Sequence, residues 1–217
     1  MTTGFAIKKG KHYDVYQQVT HNVGTTGSLV FRGTEAMLNY MEACYELNGS
    51  IDATADNYWR ALRTRAMVNS DYNATIAATD MAKEAEGDWG AYSKGQLVDA
   101  TLYNIRRERR NEFIGEGMRM MDLKRWRALD KVKNYQVSGM RFWRSIYETD
   151  LANYLVVDVQ GGTGNMSAQE DGVYILPNRI PAVNNSVFDG YTWCEAHYLS
   201  PLAQSDSVRQ LVVIRQT

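Results

Sequence analysis

The chain has 217 residues, 44% of them hydrophobic, which suffices to bury a substantial core in one domain or at most two small ones. Its formal net charge of −1 supplies no general attraction to nucleic acid or anionic lipid, so a charge-driven partner has to find a local patch. Two cysteines, Cys44 and Cys194, are too few for a disulfide framework and lack the CxxC spacing of a zinc site.

Residues 1–33 read as an extended and loop segment: Thr3 to Gly10 is a short extended stretch ending at a glycine turn, and residues 11 to 33 stay polar and glycine-rich. The first 30 residues hold no charged n-region followed by an apolar stretch, and no apolar run reaches the roughly 18 residues that span a bilayer. The chain as written is therefore expected to lack its own export signal and lipidation cysteine.

Residues 34–133 carry helical periodicity. Leu38, Met41 and Tyr45 mark a helix expected to be capped by Thr34 and to end at Asn48-Gly49, with Cys44 as a small buried thiol. Asp52 or Thr54 caps a second helix through Tyr58, Leu62 and Met67. Joined by Gly49-Ser50-Ile51, the two form a helical hairpin, the unit of tetratricopeptide-type solenoids, although no 34-residue self-similarity appears. Two arginines in register, Arg63 and Arg65, ride on the second helix, and Glu35 or Glu42 are their expected partners. A weaker pattern around Ile76, Met81 and Ala85 gives way to Gly87-Asp88-Trp89-Gly90-Ala91-Tyr92, read as an exposed loop that presents Trp89 and Tyr92.

Asp99 then caps a helix whose buried stripe is Leu102, Ile105 and Phe113. Gly115 and Gly117 break it, and a further helix is expected from Met118 to about Leu129. Arg109 stands three residues before Glu112, Arg119 three before Asp122 and Asp122 three before Arg125, so opposite charges are expected to meet on adjacent turns. Arginine forks bridging carboxylates between packed helices are a structural device, and Glu108, Arg109, Arg110, Glu112, Glu116, Arg119, Asp122 and Arg125 are read as that scaffold.

Residues 134–217 hold all three prolines, Gly161-Gly162-Thr163-Gly164 and Asn184-Asn185, with short apolar runs at Tyr154 to Val157 and Tyr174 to Pro177. They read as a loop-rich region with few short strands, packed on the helices as part of one domain, and the fold class is mainly α. The glycine run lacks the following Lys-Ser/Thr of a phosphate cradle. His12, His21 and His197 are scattered without HExxH spacing, so no metal site and no cofactor is expected. Glu108, Glu112 and Glu116 share a helix face, but arginines surround them and depress a carboxylate's pKa, the reverse of what a general acid needs; no catalytic residue is assigned. The same interleaved acids interrupt any cationic face for nucleic acid.

The stretch Arg106 to Trp126 resembles the E-R-R-x-E-(L/F)-x-x-E-G-x-R-x-x-D-L-x-R-W block of the SusD/RagB family. Phe31-Arg32 to Glu42-Ala43 is similar to that family's F-R-x-x-E-x-x-L-N-Y-x-E-A element, the Arg60 to Ala66 segment to its R-x-R-A element, and Tyr198-Leu199-Ser200-Pro201 to its closing element. The resemblance implies a non-catalytic lipoprotein at the outer face of a Bacteroidota outer membrane. Such a protein holds oligosaccharides, or in some cases peptides, and caps a TonB-dependent transporter. Sugar binding by such a chain rests on aromatic stacking. The composition of 14 Tyr and 5 Trp against 5 Phe favours amphipathic rings, and Trp89, Tyr92, Trp143 and Trp193 are the candidate platforms. The alternative is a helical protein-interaction module, or a truncated remnant, without a small ligand.

Overall fold

In the computed structural model, which describes residues 7–27, 29–150, 167, 172–179 and 185–199, a one-turn helix α1 (Val15–Val19) precedes the hairpin of α2 (Gly33–Asn48) and α3 (Ala53–Arg65). The turn between α2 and α3 opens on Gly49 at φ 66° and closes on Asp52, whose carboxylate accepts the Ala55 amide at 2.7 Å. Short helices α4 (Tyr72–Ala77) and α5 (Met81–Gly87) follow, then a 3-10 turn at Trp89–Ala91 and a two-residue hairpin, β1 (Tyr92–Ser93) against β2 (Gln96–Leu97). α6 (Ala100–Glu112), α7 (Arg119–Arg125) and a 3-10 turn at Leu129–Val132 complete the helical part. Beyond it lie α8 (Ile146–Asp150), one bridge between Arg141 and Tyr174, and 3-10 turns at Pro177–Arg179 and Glu195–Tyr198. The protein is mainly helical.

The core lies where α6 crosses the hairpin. Leu38, Met41 and Cys44 of α2 and Trp59 and Leu62 of α3 enclose Ile105 and Phe113, and Trp59 stacks on Tyr72 at 4.1 Å with rings 2° from parallel. Burying an aliphatic or aromatic side chain of this size stabilises by about 1.5–3 kcal/mol, so this cluster rather than helix propensity holds the short helices in place.

Most of the ion pairs join one element to another; Arg60 with Asp56 and Arg125 with Asp122 run along a helix. Arg109 Nε donates to both oxygens of Asp122 at 2.8 and 2.9 Å, and its Nη1 reaches Asn39 of α2 at 2.7 Å. Buried Glu42 accepts from Arg125 at 2.8 and 2.5 Å and from the indole of Trp126 at 2.5 Å. Over that indole lie the guanidinium groups of Arg106, Arg125 and Arg119, at 4.6, 5.0 and 5.7 Å. Asp88 receives Arg110 at 2.5 Å and Arg119 at 2.6 Å, Glu108 receives Arg63, Glu112 receives Arg32 and Arg65 at 2.5 Å each, and Glu116 receives Arg32 at 2.8 Å together with Lys9.

Several expectations change in detail. Of the three pairs at helical spacing only Asp122 with Arg125 forms, at 3.0 Å; Arg109 and Arg119 turn instead to Asp122 and Asp88, buried carboxylates on other elements. Arg63 and Arg65 meet Glu108 and Glu112 rather than Glu35 or Glu42, and Arg60 meets Asp56 at 2.9 Å. α2 starts two residues early, with Arg32 rather than Thr34 at the cap and no side-chain acceptor. Met67 is 94% exposed at φ 58°, because Met67 N to Thr64 O and Val68 N to Arg63 O, at 3.0 and 3.1 Å, end α3 before it. α7 likewise stops at Arg125 rather than near Leu129. Between Ile76 and Met81 the chain breaks to let Asp80 cap α5. The run at Tyr154 to Val157, the glycines 161 to 164 and the end of the Tyr198 to Pro201 element lie outside the described residues.

Candidate functional site

At the end of α7 the chain closes a Schellman motif: Ala128 N donates to Leu123 O at 3.0 Å and Arg127 N to Lys124 O at 3.1 Å. The left-handed position of this motif, normally glycine, is Arg127 at φ 55°. Opposite it, the β1–β2 turn is Lys94-Gly95 with φ of 50° and 78°, a turn that favours Asn-Gly. A left-handed conformation burdens each non-glycine residue by roughly 1–2 kcal/mol, and here both are cationic. Lys94 N donates to Arg127 O at 3.0 Å, which locks the two strained turns side by side.

Arg106 fixes this arrangement from below. Buried between α2 and α6, it pairs with Glu46 at 3.3 Å and with Glu42 at 3.6 Å, and it donates to the carbonyls of Gly90 and Tyr92 and the hydroxyl of Ser93 at 3.3, 3.1 and 2.9 Å. Burial pulls its pKa below the usual arginine value against the pull of Glu42 and Glu46, but a guanidinium remains charged at neutral pH.

The second wall is the 185–199 segment. It is fastened by Asn134 N to Tyr191 O at 2.7 Å, Tyr191 N to Tyr135 O at 3.1 Å and Gln136 Nε2 to Phe188 O at 2.7 Å. Gly190, at φ 100°, lies so close that a Cβ there would meet the Asn134 carbonyl at 2.7 Å. Behind that anchor Trp193 and Tyr198 meet edge to face at 5.9 Å, and the Tyr198 hydroxyl accepts the Leu129 amide at 3.1 Å.

Between the walls runs a cleft of about 680 Å³ lined by Lys94, Gly95, Arg127, Asp130, Trp193, Glu195 and Tyr198. Trp193 also lines a second, more apolar cleft of about 770 Å³ with Met120, Leu129, Val132, Tyr191 and Leu199. The Arg127 guanidinium lies 4.7 Å from the centre of the Tyr198 ring. Every arginine from Arg32 to Arg125 forms an ion pair with a carboxylate. Arg127 forms none among the described residues.

The four expected ring platforms separate. Trp193 is half-buried against the cluster of Leu123 and Trp126 and lines both clefts. Trp89 and Tyr92 are half-buried: Trp89 packs edge-on to Tyr135 at 4.8 Å and joins the cluster of Leu123 and Trp126, while Lys131 Nζ covers the Tyr92 ring at 3.9 Å. Gly90 lies in a buried 3-10 turn capped by Asp88 instead of an exposed loop, and neither ring lines the two clefts beside Trp193. Trp143, only 8% exposed, packs with Phe142 and Ile175. Lys94, Arg127 and Tyr198 were not expected at the site; the Lys-Gly pair between two short apolar stretches was the one local signal.

Glu112 and Glu116 are partly shielded, which by itself raises a carboxyl pKa, but Arg65, Arg32 and Lys9 hold both below the usual carboxylate range. They are anions and acceptors, not acids. Among the described residues no group of three or more His, Cys, Asp or Glu side chains is placed to hold a metal ion, and no helix is long and apolar enough to cross a membrane.

A family model described as the SusD family matches residues 1–210. No curated protein and no solved structure matches the chain.

Proposed function

The chain belongs to the SusD family, which is associated with glycan and nutrient binding at the outer-membrane surface and is generally non-catalytic, and from that premise we propose that it binds an oligosaccharide without transforming it, at the cleft beside Trp193. The observation that carries this reading is the combination of an indole that lines the cleft with an arginine that has no ion-pair partner among the described residues. An aromatic face takes the apolar side of a pyranose, and Arg127, Lys94, Asp130 and Glu195 offer donors and acceptors for its hydroxyls. Delivery to a TonB-dependent outer-membrane transporter, from the surface side, completes the proposal.

Isothermal titration of the full chain against a glycan panel tests it. Heat with at least one oligosaccharide, lost in Trp193→Ala with the thermal midpoint retained, is expected; silence across the panel contradicts it.

A second reading, protein docking, is favoured by a separate observation. Tyr13, Val15, Tyr16, Val19, Val30 and Phe31 are each more than half exposed along the segment that precedes α2. Capture of the transporter by a chain that binds no glycan decides for that reading.

A further inference from the structure

We infer that the ligand of the Trp193 cleft is acidic: a carboxylate-bearing oligosaccharide of the uronate type, whose carboxylate is taken by Arg127 and Lys94. This rests on the reading of that cleft as a sugar site. Around the indole, Asp130 already faces Lys131 at 3.9 Å, and Lys131 in turn lies on the Tyr92 ring. The lining itself sets Lys94 and Arg127 against Asp130 and Glu195, and Lys131 beside Asp130 brings the neighbourhood to three cations and two carboxylates; Lys94, Arg127 and Glu195 have no ion-pair partner among the described residues.

Neutral sugars need no such charge, since hydroxyls are served equally well by amides. The two cations also occupy the two backbone positions where arginine and lysine fit worst, a Schellman left-handed residue and the first residue of a two-residue hairpin turn. Glycine and asparagine would relieve both. Strain kept at a cleft mouth, on adjacent turns tied by the Lys94 amide to the Arg127 carbonyl, is the pattern expected where the side chains do work that the fold does not need. A guanidinium steadied by the Tyr198 ring presents its fork to one planar anion, and an ammonium beside it adds a second donor.

Titration of the full chain with trigalacturonate and with its methyl ester, at low and high salt, reads the charge directly. The acid is expected to bind about tenfold more tightly than the ester, the effect of one charge-assisted hydrogen bond, with the preference shrinking in high salt. Arg127→Gly and Lys94→Asn are each expected to erase that preference while their thermal midpoints stay level or rise, since both replacements suit the backbone they enter. Equal binding of acid and ester overturns the inference and leaves the sugar site standing. Silence of both, with neutral glycans still bound through Trp193, overturns it as well; silence of every glycan overturns the underlying reading too. Binding of oligoglutamate in preference to trigalacturonate also overturns it, because the anion would then belong to a peptide.

Discussion

Arg109 and Asp122, thirteen residues apart, form a buried ion pair in which one guanidinium nitrogen makes a bifurcated hydrogen bond to both carboxylate oxygens, at 2.8 and 2.9 Å. The pair ties α6 to α7, and Asp122 also holds Arg125, which in turn reaches Glu42 on α2. Removing one member of such a set strands the others without solvent, a loss of about 3–5 kcal/mol. Asp122→Ala is thus expected to lower the urea midpoint steeply, whereas Asp56→Ala, which breaks the half-exposed Arg60 pair, should shift it by less than about 1 kcal/mol. Equal effects would show that the buried pairs do not brace the helices.

Acid should dissolve this lattice. Burial alone would raise Asp88, but the Gly90 amide and the Arg110 and Arg119 guanidinium groups outweigh it and hold the carboxyl below its usual range, as Arg65 and Arg32 do for Glu112. A depressed folded pKa contributes stability that is present above the unfolded value, about 4 for a carboxyl, and lost as pH falls through the folded one. Stability should therefore hold level above about pH 5 and decline below it, with a shallower decline in Asp88→Asn. Chemical unfolding at stepped pH measures both slopes.

Gly190→Ala is predicted to free one wall of the cleft without unfolding the helices. Its Cβ would meet Asn134 backbone atoms at 2.7 Å, and at φ 100° the alanine adds strain of about 1–2 kcal/mol. Glycan affinity should fall at least as far as in Trp193→Ala, with helical circular dichroism unchanged. An unaltered affinity would place the binding surface away from residues 185–199.

Arg127→Gly should raise stability by roughly 1 kcal/mol, since glycine suits the left-handed position and the lost side chain forms no ion pair among the described residues. A destabilised variant, by thermal melt in the absence of ligand, would mean that the contact with Tyr198 holds the fold rather than serving the cleft.

The hairpin, its cap at Asp52 and the cap at Asp99 were legible in the sequence, because capping side chains and apolar spacing act within one or two turns. Charge density around Arg106 to Arg125 was legible as well, but not its wiring: Arg109 has Glu112 three residues away and chooses Asp122 across the turn that Gly115 and Gly117 make. Spacing cannot reveal that choice, which is set by which carboxylate is buried against the guanidinium. The candidate cleft was legible least. Trp193 stood out as an aromatic, but Trp89 carries the same signal and is equally half-buried, and Trp143 is packed away. What distinguishes Trp193 is Arg127 beside it, which has no ion-pair partner among the described residues, and that shows only once the arginines from Arg32 to Arg125 have been matched.

Backbone hydrogen exchange with and without the oligosaccharide that gives heat most directly tests the claim that recognition is left to this cleft while the arginine lattice only braces. Protection is predicted at residues 92–97, 127–130 and 193–198, with α2, α3 and α6 unchanged. Protection centred on the α2–α3 hairpin, with the Lys94, Arg127 and Trp193 segments exchanging as before, would contradict the account.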